Sequence, residues 1–324
     1  MARASYTGSH TYNLIYSPDL NQVAPNTVGY AALTATPALR QANLGFPNFA
    51  ELLTRDNGEM DKYEALTLEL NKRFSNGLTF HNNYTLAKNI TNALGMVPSG
   101  AVPVGGQIDN GNNVGNRFNV AADAGNAYYT PRHRFVSSFV YNLPFGQGQR
   151  YASSVSRTEN LFVGGWGVTG VTVLQTGPWL TPYFPSTTSD PSGTNPHQRS
   201  VKQLRPDCAS GKSGYLSNPT TEQYFDLTAF AIPASNIGRF GNCGSGILEG
   251  PGTATFSMSA GKTFQLSERF GFRYEAQFAN LFNILNKGVP NLNVGSTAFG
   301  LISQSQQTQQ AGPRTIQMML RILF

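Results

Sequence analysis

The sequence predicts an all-β fold of about eight long antiparallel strands, on three observations. Several segments alternate large apolar and polar residues with period two, the pattern of a strand whose two faces meet different surroundings. Glycine is abundant, at 34 residues, as are 21 Phe and 14 Tyr, a composition that suits hairpins and loops. No apolar run approaches the roughly 18 residues that a membrane-spanning helix needs.

The first three predicted strands lie in the N-terminal part of the chain. A short strand covers "RASYTG", and "YEALTLELNKRF" follows later with Leu66, Leu68 and Leu70 on one face. After the turn signal "SNG", the segment "LTFHNNYTLAK" alternates again. The last two segments are therefore predicted to form a hairpin.

Five further segments show the same alternation and complete the predicted sheet. Their large apolar residues fall mainly on one side, less cleanly in the second of them, where Trp166, Val168 and Leu174 share a face. They are "HRFVSSFVYNLP" at 133–144, "GGWGVTGVTVLQTG" at 164–177, "TATFSMSAGKTF" at 253–264, "RFGFRYEAQFANLF" at 269–282 and "RTIQMMLRILF" at 314–324. No amphipathic helix is predicted between them.

The connections between the predicted strands alternate between short and long. "SNG" and "QLSE" are short, and a middling link spans 145–162. The long connections, rich in Gly, Pro, Asn, Ser and Thr, are 10–59, 91–130, 182–250 and 286–312. A membrane barrel sorts its connections in this way, with short periplasmic turns and long extracellular loops.

The positions of charged residues favour an apolar face toward lipid. A lysine or arginine that faces lipid at mid-bilayer costs about 2–4 kcal/mol. On the apolar faces we note Lys72 and Lys262, each near a short turn, where a lysine reaches the interface. The mid-strand charges Glu69, Arg273, Glu275 and Arg321 all fall on the polar face.

The sequence thus predicts an antiparallel transmembrane β-barrel wall with a wet lumen. A soluble two-sheet sandwich with the aromatic residues inside satisfies the same alternation and stays an alternative. Its polar face would be poor in charge, since charged residues make up only 12% of the chain, against about 25% in ordinary soluble proteins.

The motifs of cofactor and metal sites find little support. "GWGVTG" at 165–170 matches a dinucleotide fingerprint but continues as a strand rather than opening a helix. "ASGKSG" lacks the first glycine of a phosphate loop, because that position holds Pro206. "DNGNN" at 109–113 is interpreted as a solvated turn, with a Ca²⁺ site as the alternative.

The sequence also gives little support for catalysis or nucleic-acid binding. His10, His81, His133 and His197 show no metal-ligand spacing and no nucleophile or carboxylate partner in the sequence. The basic residues are scattered, at a net charge of +6. We therefore expect no enzyme activity, no cofactor, no metal and no nucleic-acid partner.

The two cysteines, Cys208 and Cys243, lie in one turn-rich segment. A pair within a single polar loop indicates a disulfide in an oxidising compartment, and two free cytosolic thiols are the alternative on composition alone.

The segments resemble TonB-dependent outer-membrane receptors of the Oar-like branch. The resemblance rests on "YEALTLELNKRFSNGLTFHNNYTLAKNI", "RHRFVSSFVYNLPFGQGQ", "GGWGVTGVTVLQTGPWLTP", "YFDLTAFAIPA…GRFGNCGSGILEGPG", "FRYEAQFANLFNILN" and "GPRTIQMMLRILF", in the order of the family. It implies a location in the outer membrane of a Gram-negative bacterium. It also favours the disulfide, and makes the terminal Phe324 the aromatic residue that the barrel assembly machinery recognises.

The chain departs from that family in extent. The family implies a 22-stranded barrel with a plug, whereas residues 1–324 resemble the C-terminal third of the barrel, with no plug, no TonB-contacting segment and no signal peptide. "MARASYTGSHTYNLIYSPDL" has no apolar core of about 7–15 residues. We expect an arc of wall whose two edge strands need further barrel strands.

The resemblance implies uptake energised by TonB, with outer-membrane lipid, the missing plug and strands, and an unknown ligand as partners. The ligand class stays open between siderophores, glycans, peptides and larger cargo. The loop 182–250 is the candidate for ligand contact. The candidates for the lumen wall are Glu69, Arg273, Glu275, Gln277, Gln317 and Arg321, which either contact a plug or substrate or form a charge-paired wall with no ligand role. A small stand-alone outer-membrane or surface protein is the alternative function.

Overall fold

Eight long strands form one antiparallel sheet in a computed structural model that describes residues 1–73, 77–93, 115–195, 203–265, 269–307 and 311–324. The strands are β1 (Ala2–Tyr16), β2 (Asp56–Arg73), β3 (Leu78–Thr91), β4 (His133–Asn142), β5 (Trp166–Gln175), β6 (Thr253–Gln265), β7 (Gly271–Ala279) and β8 (Thr315–Leu323). Each pairs with its neighbours in chain order, and the sheet is open between β1 and β8. The predicted all-β class with about eight antiparallel strands is confirmed.

The first strand is longer than predicted. β1 has 15 residues rather than the few of "RASYTG", and it pairs along β2 from Ala2 opposite Leu70 to Tyr16 opposite Asp56. The pairing slips between Thr11 and Leu14. The prediction stopped early because the irregular stretch interrupts the alternation.

In the described residues, three short helices lie in the connections, where no amphipathic helix was predicted. They are α1 (Tyr30–Leu33), α2 (Pro37–Asn43) and α3 (Arg157–Val163), with 3₁₀ turns at Val120–Asp123 and Leu227–Ala229. A helix of at most seven residues is too short to show a 3.6-residue period. Among the described residues, no helix is long and apolar enough to cross a membrane.

The strand register places most of the large apolar strand residues on one face, although β4 and β5 place several valines, Val136 and Val173 among them, on the other. Phe264 lies opposite Phe272, and Phe272 lies opposite Ile322 on the edge strand. We call the following residues of this face the apolar band: Leu66, Leu68, Leu70, Tyr84, Phe135, Phe139, Val168, Leu174, Phe256, Met258, Phe272, Tyr274, Phe278, Ile316, Met318, Leu320 and Ile322. The apolar faces that were predicted for separate segments therefore form one face of a single continuous sheet.

More charged residues share this face than the sequence analysis recognised. Besides Lys72 and Lys262, it carries Lys62, Glu64 and Lys88, all toward the loop end of β2 and β3. Lys62 Nζ lies 2.9 Å from Glu64 Oε1. These charges lie beyond the apolar band because β2 extends past it, where strands leave the bilayer.

The buried core lies in the loops and not under the apolar band. The connections after β5 and β7 fold together into what we call the loop cap, the described part of residues 176–252 and 280–314. Its core consists of Leu180, Phe184, Leu204, Phe225, Ala229, Phe230, Cys243, Leu248, Leu292, Val294 and Phe299. Two-residue strand pairs support it, among them Trp179–Leu180 with Leu248–Glu249.

At the loop end of the strands, the long loops cover the polar face more than the apolar face, where Phe282 packs on Phe256 of the apolar band. At the loop end of the strands, the polar-face residues Ala87 and Thr255 are 6% and 2% exposed. On the apolar face, Leu86 is 39% exposed, and Leu320 on the edge strand is 65% exposed. The apolar band therefore presents its side chains outward, as a lipid-facing surface does.

Candidate functional site

The disulfide pair lies at one side of the loop cap. Cys208 and Cys243 are bonded to each other, with a Cα–Cα distance of 5.0 Å. Asp207–Cys208 forms a two-residue ladder with Phe230–Ala231, and Cys243 is 2% exposed within the cap core. The bridge therefore joins two stretches of the loop 182–250 that also share a packed core.

An ion pair between Asp207 and Arg239 lies next to the disulfide bridge. Arg239 donates from Nη1 to Asp207 Oδ1 at 2.7 Å and from Nη2 to Oδ2 at 2.8 Å, a bidentate pair. The backbone N–H of Asn242 donates to Asp207 Oδ1 at 3.0 Å. These bonds favour the carboxylate, so the Arg239 side chain, supported by the Asn242 amide, lowers the pKa of Asp207 despite partial burial.

The outer surface of the loop 182–250 exposes apolar and aromatic side chains on a fixed base. Tyr215, Leu227 and Ile237 are exposed, while Phe225, which contacts Tyr215, is fully buried. The rings of Tyr215 and Phe225 meet edge to face, with centroids 5.9 Å apart. Exposed side chains on a packed loop form a suitable contact surface for a ligand, because little loop entropy is lost on binding.

Five of the six candidate lumen residues lie together near the open edge at β8. On β7, Arg273 Nη2 lies 3.2 Å from Glu275 Oε2, and Gln277 Nε2 donates to Glu275 Oε1 at 3.0 Å. In register, Arg273 lies opposite Arg321, and Gln277 opposite Gln317. Two arginines and one glutamate leave this patch positively charged, so a negative group on a contacting segment would be stabilised there.

Glu69, the sixth candidate, lies apart from the other five. It is on β2, opposite Arg3 of β1 and Asn83 of β3, near the other edge of the sheet. The sequence could assign it to the polar face but could not tell that several strands separate it from β7. It belongs to a second polar patch, next to the β1 edge.

The histidines have aromatic or amide neighbours. Tyr84 Oη lies 2.8 Å from His133 Nδ1, His10 Nδ1 lies 3.2 Å from Tyr12 Oη, and His81 contacts Asn71. His197 and the "DNGNN" segment lie outside the described residues. In the described part of the chain, no group of three or more His, Cys, Asp or Glu could hold a metal ion.

The glycine-rich motif of β5 is explained by packing. A Cβ on Gly170 would meet the ring of Phe139, which lies opposite it on β4. The small residue therefore makes room for a large aromatic ring within the apolar band, which is the close packing that the sequence indicated.

One contact that the sequence analysis missed fixes the start of β4 to the loop cap. Arg132 pairs with Glu249, and its guanidinium Cζ lies 5.1 Å from the ring centroid of Trp179. Trp179 and Glu249 lie opposite each other in their two-residue ladder. No sequence signal links these positions, because 117 residues separate Arg132 from Glu249.

An open antiparallel sheet with an outward apolar band, short connections at one end and packed loops at the other describes a membrane β-barrel wall. A protein-family model described as "Outer membrane beta barrel domain" matches residues 1–317, and the chain belongs to that family. The predicted location in the outer membrane is thereby confirmed. No curated protein and no solved structure matches the chain.

Proposed function

We propose that the chain supplies part of the wall and the ligand-contacting loops of a TonB-dependent outer-membrane transporter of the Oar-like branch. The observation that carries the proposal is the open sheet, in which β1 and β8 each have one sheet neighbour although every other strand has two. An open edge in a bilayer leaves backbone groups without partners, so further strands are needed. The ordered resemblance over nearly the whole chain supports a TonB-dependent receptor as the larger barrel.

In this proposal, the two surfaces described above have separate tasks. The surface of the loop 182–250, held by Cys208–Cys243, contacts the ligand outside the cell. The charged patch around Arg273 and Arg321 contacts the plug, which responds to TonB through the remaining part of the transporter. The chain itself carries no catalytic step and no cofactor, and Phe324 serves the assembly machinery.

A small stand-alone barrel with a binding or structural role is the second candidate. It is favoured by the family match, which runs over residues 1–317 as one outer-membrane barrel domain. In this alternative, β1 and β8 pair with each other, and eight strands close around a lumen filled by side chains.

Photo-cross-linking in native outer membranes separates the two candidates. A photoreactive amino acid at Gln277 faces the lumen, and one at Phe278, the next residue of β7, faces lipid as the matched control. We expect Gln277, but not Phe278, to cross-link to a plug segment, in a polypeptide larger than the 35.0 kDa of this chain. A heat-modifiable 35.0 kDa species without such a cross-link would contradict the transporter proposal and support the small barrel.

A further inference from the structure

Residues 143–165, the link between β4 and β5, form an apolar surface at the short-turn end of the sheet. Its exposed apolar side chains are Phe145, Tyr151, Leu161, Phe162 and Val163, which we call the rim patch. Phe162 is 72% exposed, although α3, which carries it, is a well-formed helix with a capping box between Ser156 and Glu159. An apolar patch of this kind on an ordered segment marks a contact surface.

Two side chains of the apolar face hold α3 against the outside of the wall. Trp166 Nε1 donates to Phe162 O at 2.8 Å, and Lys262 Nζ donates to Asn160 O at 3.2 Å. Trp166 and Lys262 lie opposite each other in the register of β5 and β6, on the face of the apolar band. The helix therefore lies on the lipid-facing side, at the end where the short turns are.

Lys262 is nearly buried here, at 5% exposed, because α3 and two rings surround it. Its Nζ lies 4.9 Å from the Phe264 ring centroid and 5.9 Å from that of Trp166. The sequence predicted a lysine that reaches the interface. In the structure, its ammonium group instead donates a hydrogen bond to a carbonyl oxygen of α3. This bond fixes the position of the helix along the strands of the wall.

The rim patch has the composition of a membrane interface. Phe145 and Tyr151 pack with ring centroids 5.4 Å apart, and Arg150 Cζ lies 5.4 Å from the Tyr151 ring centroid. Beside them is a groove of about 460 Å³, which Tyr141, Leu143 and Trp166 also line. Aromatic rings with polar groups and nearby cations suit the level of lipid headgroups.

We propose that the link 143–165 is a membrane-interface foot, in which α3 lies in the bilayer plane at the inner-leaflet headgroups with Phe162 inserted toward the acyl chains. The occupant of the rim patch is then phospholipid, because the patch continues the apolar band on the same side of the wall. In-plane helices bury their apolar face about 5–10 Å into the headgroup and acyl boundary. The foot would set the depth of the barrel wall in the bilayer, independently of the transported ligand.

Site-directed fluorescence tests this placement on the full chain in phospholipid vesicles. Single cysteines at Phe162 and, as a second probe of the same helix, Leu161 are labelled with an environment-sensitive dye in a background with Cys208 and Cys243 changed to serine. Thr263→Cys is the matched control, because Thr263 follows Lys262 in β6 but lies on the polar face, opposite Arg273. Leu68→Cys reports insertion of the apolar band itself.

We expect the dyes at 161 and 162 to be blue-shifted, protected from aqueous iodide, and quenched more by lipids labelled near the headgroup than by lipids labelled deep in the chain. The dye at 263 should be quenched by iodide. If the dye at 68 is quenched by deeply labelled lipid while those at 161 and 162 behave like 263, the foot is disproved and the barrel wall stands. If the dye at 68 also stays in water, the foot and the membrane wall are both wrong.

Discussion

At the scale of single residues, adjacent positions on one strand meet different solvents. Leu68 lies in the apolar band between Ala4 and Tyr84, whereas Thr67 lies on the polar face between Ser5 and Thr85. Thr67 and Leu68 are adjacent on β2, so their positions along the strand are nearly the same and they differ mainly in the face toward which the side chain points. A charge at each position therefore isolates the effect of the face.

We expect Leu68→Lys to destabilise the folded wall by about 2–4 kcal/mol, because the ammonium group would face the hydrocarbon. Thr67→Lys, as the matched control, should change stability little, because it faces the wet side. Reversible urea unfolding in lipid vesicles measures both. Equal losses for the two variants would contradict the assigned orientation.

The packing of Gly170 makes a second prediction at this scale. Gly170→Ala should cost about 1–3 kcal/mol, because the new Cβ overpacks the ring of Phe139. Gly167→Ala is the control on the same strand, since its Cβ would lie 3.4 Å from Asn142 Oδ1, an ordinary contact. The double variant with Phe139→Leu should recover most of the loss in a double-mutant cycle, and no recovery would refute the contact.

At the scale of elements, the sequence predicted the strands better than what connects them. The alternation of β6 and β7 marked both strands, because side-chain direction changes at every residue there. The sequence could not indicate that α3 lies beside Lys262, since that contact joins residues 102 apart. Glu69 shares the polar face with Arg273 and yet lies several strands away from it, because the face of a residue does not determine which strands are neighbours.

The loop cap is an element whose stability should depend on its bridge. Removing Cys208–Cys243 by double serine substitution should destabilise the cap by about 2–5 kcal/mol, because the bridge restrains the unfolded loop. Limited proteolysis should then cut within residues 203–250 while the strands stay protected by lipid. Reducing agent should have the same effect on the native chain and none on the double variant. Cleavage of the strands at the same rate would show that cap and wall unfold together.

The ion pair beside the bridge makes the cap sensitive to acid. Because Arg239 lowers the pKa of Asp207, the pair stabilises the fold above the unfolded pKa of aspartate, about 3.9, and this stability is lost as the pH falls through the lower folded value. Asp207→Asn should lower the melting temperature of the cap at pH 7, and the difference from the native chain should shrink progressively as the pH falls below about 3.9. A difference that stays constant over this range would exclude the carboxylate as its cause.

At the scale of the whole molecule, the wall is polarised from end to end. The loop cap packs its own core at one end, and the link 143–165 lies on the apolar face at the other. The N-terminal end of β1 and the C-terminal end of β8 both lie at the short-turn end of the sheet, since Ala2 pairs with Leu70 and Leu323 with Gly271. What pairs with the edges at β1 and β8 decides whether the chain is an arc or a closed barrel.

Spin labels on the two edge strands distinguish these states. With Cys208 and Cys243 changed to serine, labels at Ser5 of β1 and Gln317 of β8 report the distance across the opening. Labels at Ser5 and Thr67, which lie opposite each other in register, give the reference for adjacent strands, which are about 5 Å apart.

In the native membrane assembly, we expect the Ser5–Gln317 distance to be far longer than this reference, because further strands separate the two edges. The full chain alone in detergent should instead associate through its edges, because unpaired strands recruit other strands. If a monomeric chain gives the same short distance for both label pairs, β1 and β8 are adjacent, and the eight strands close as a small barrel.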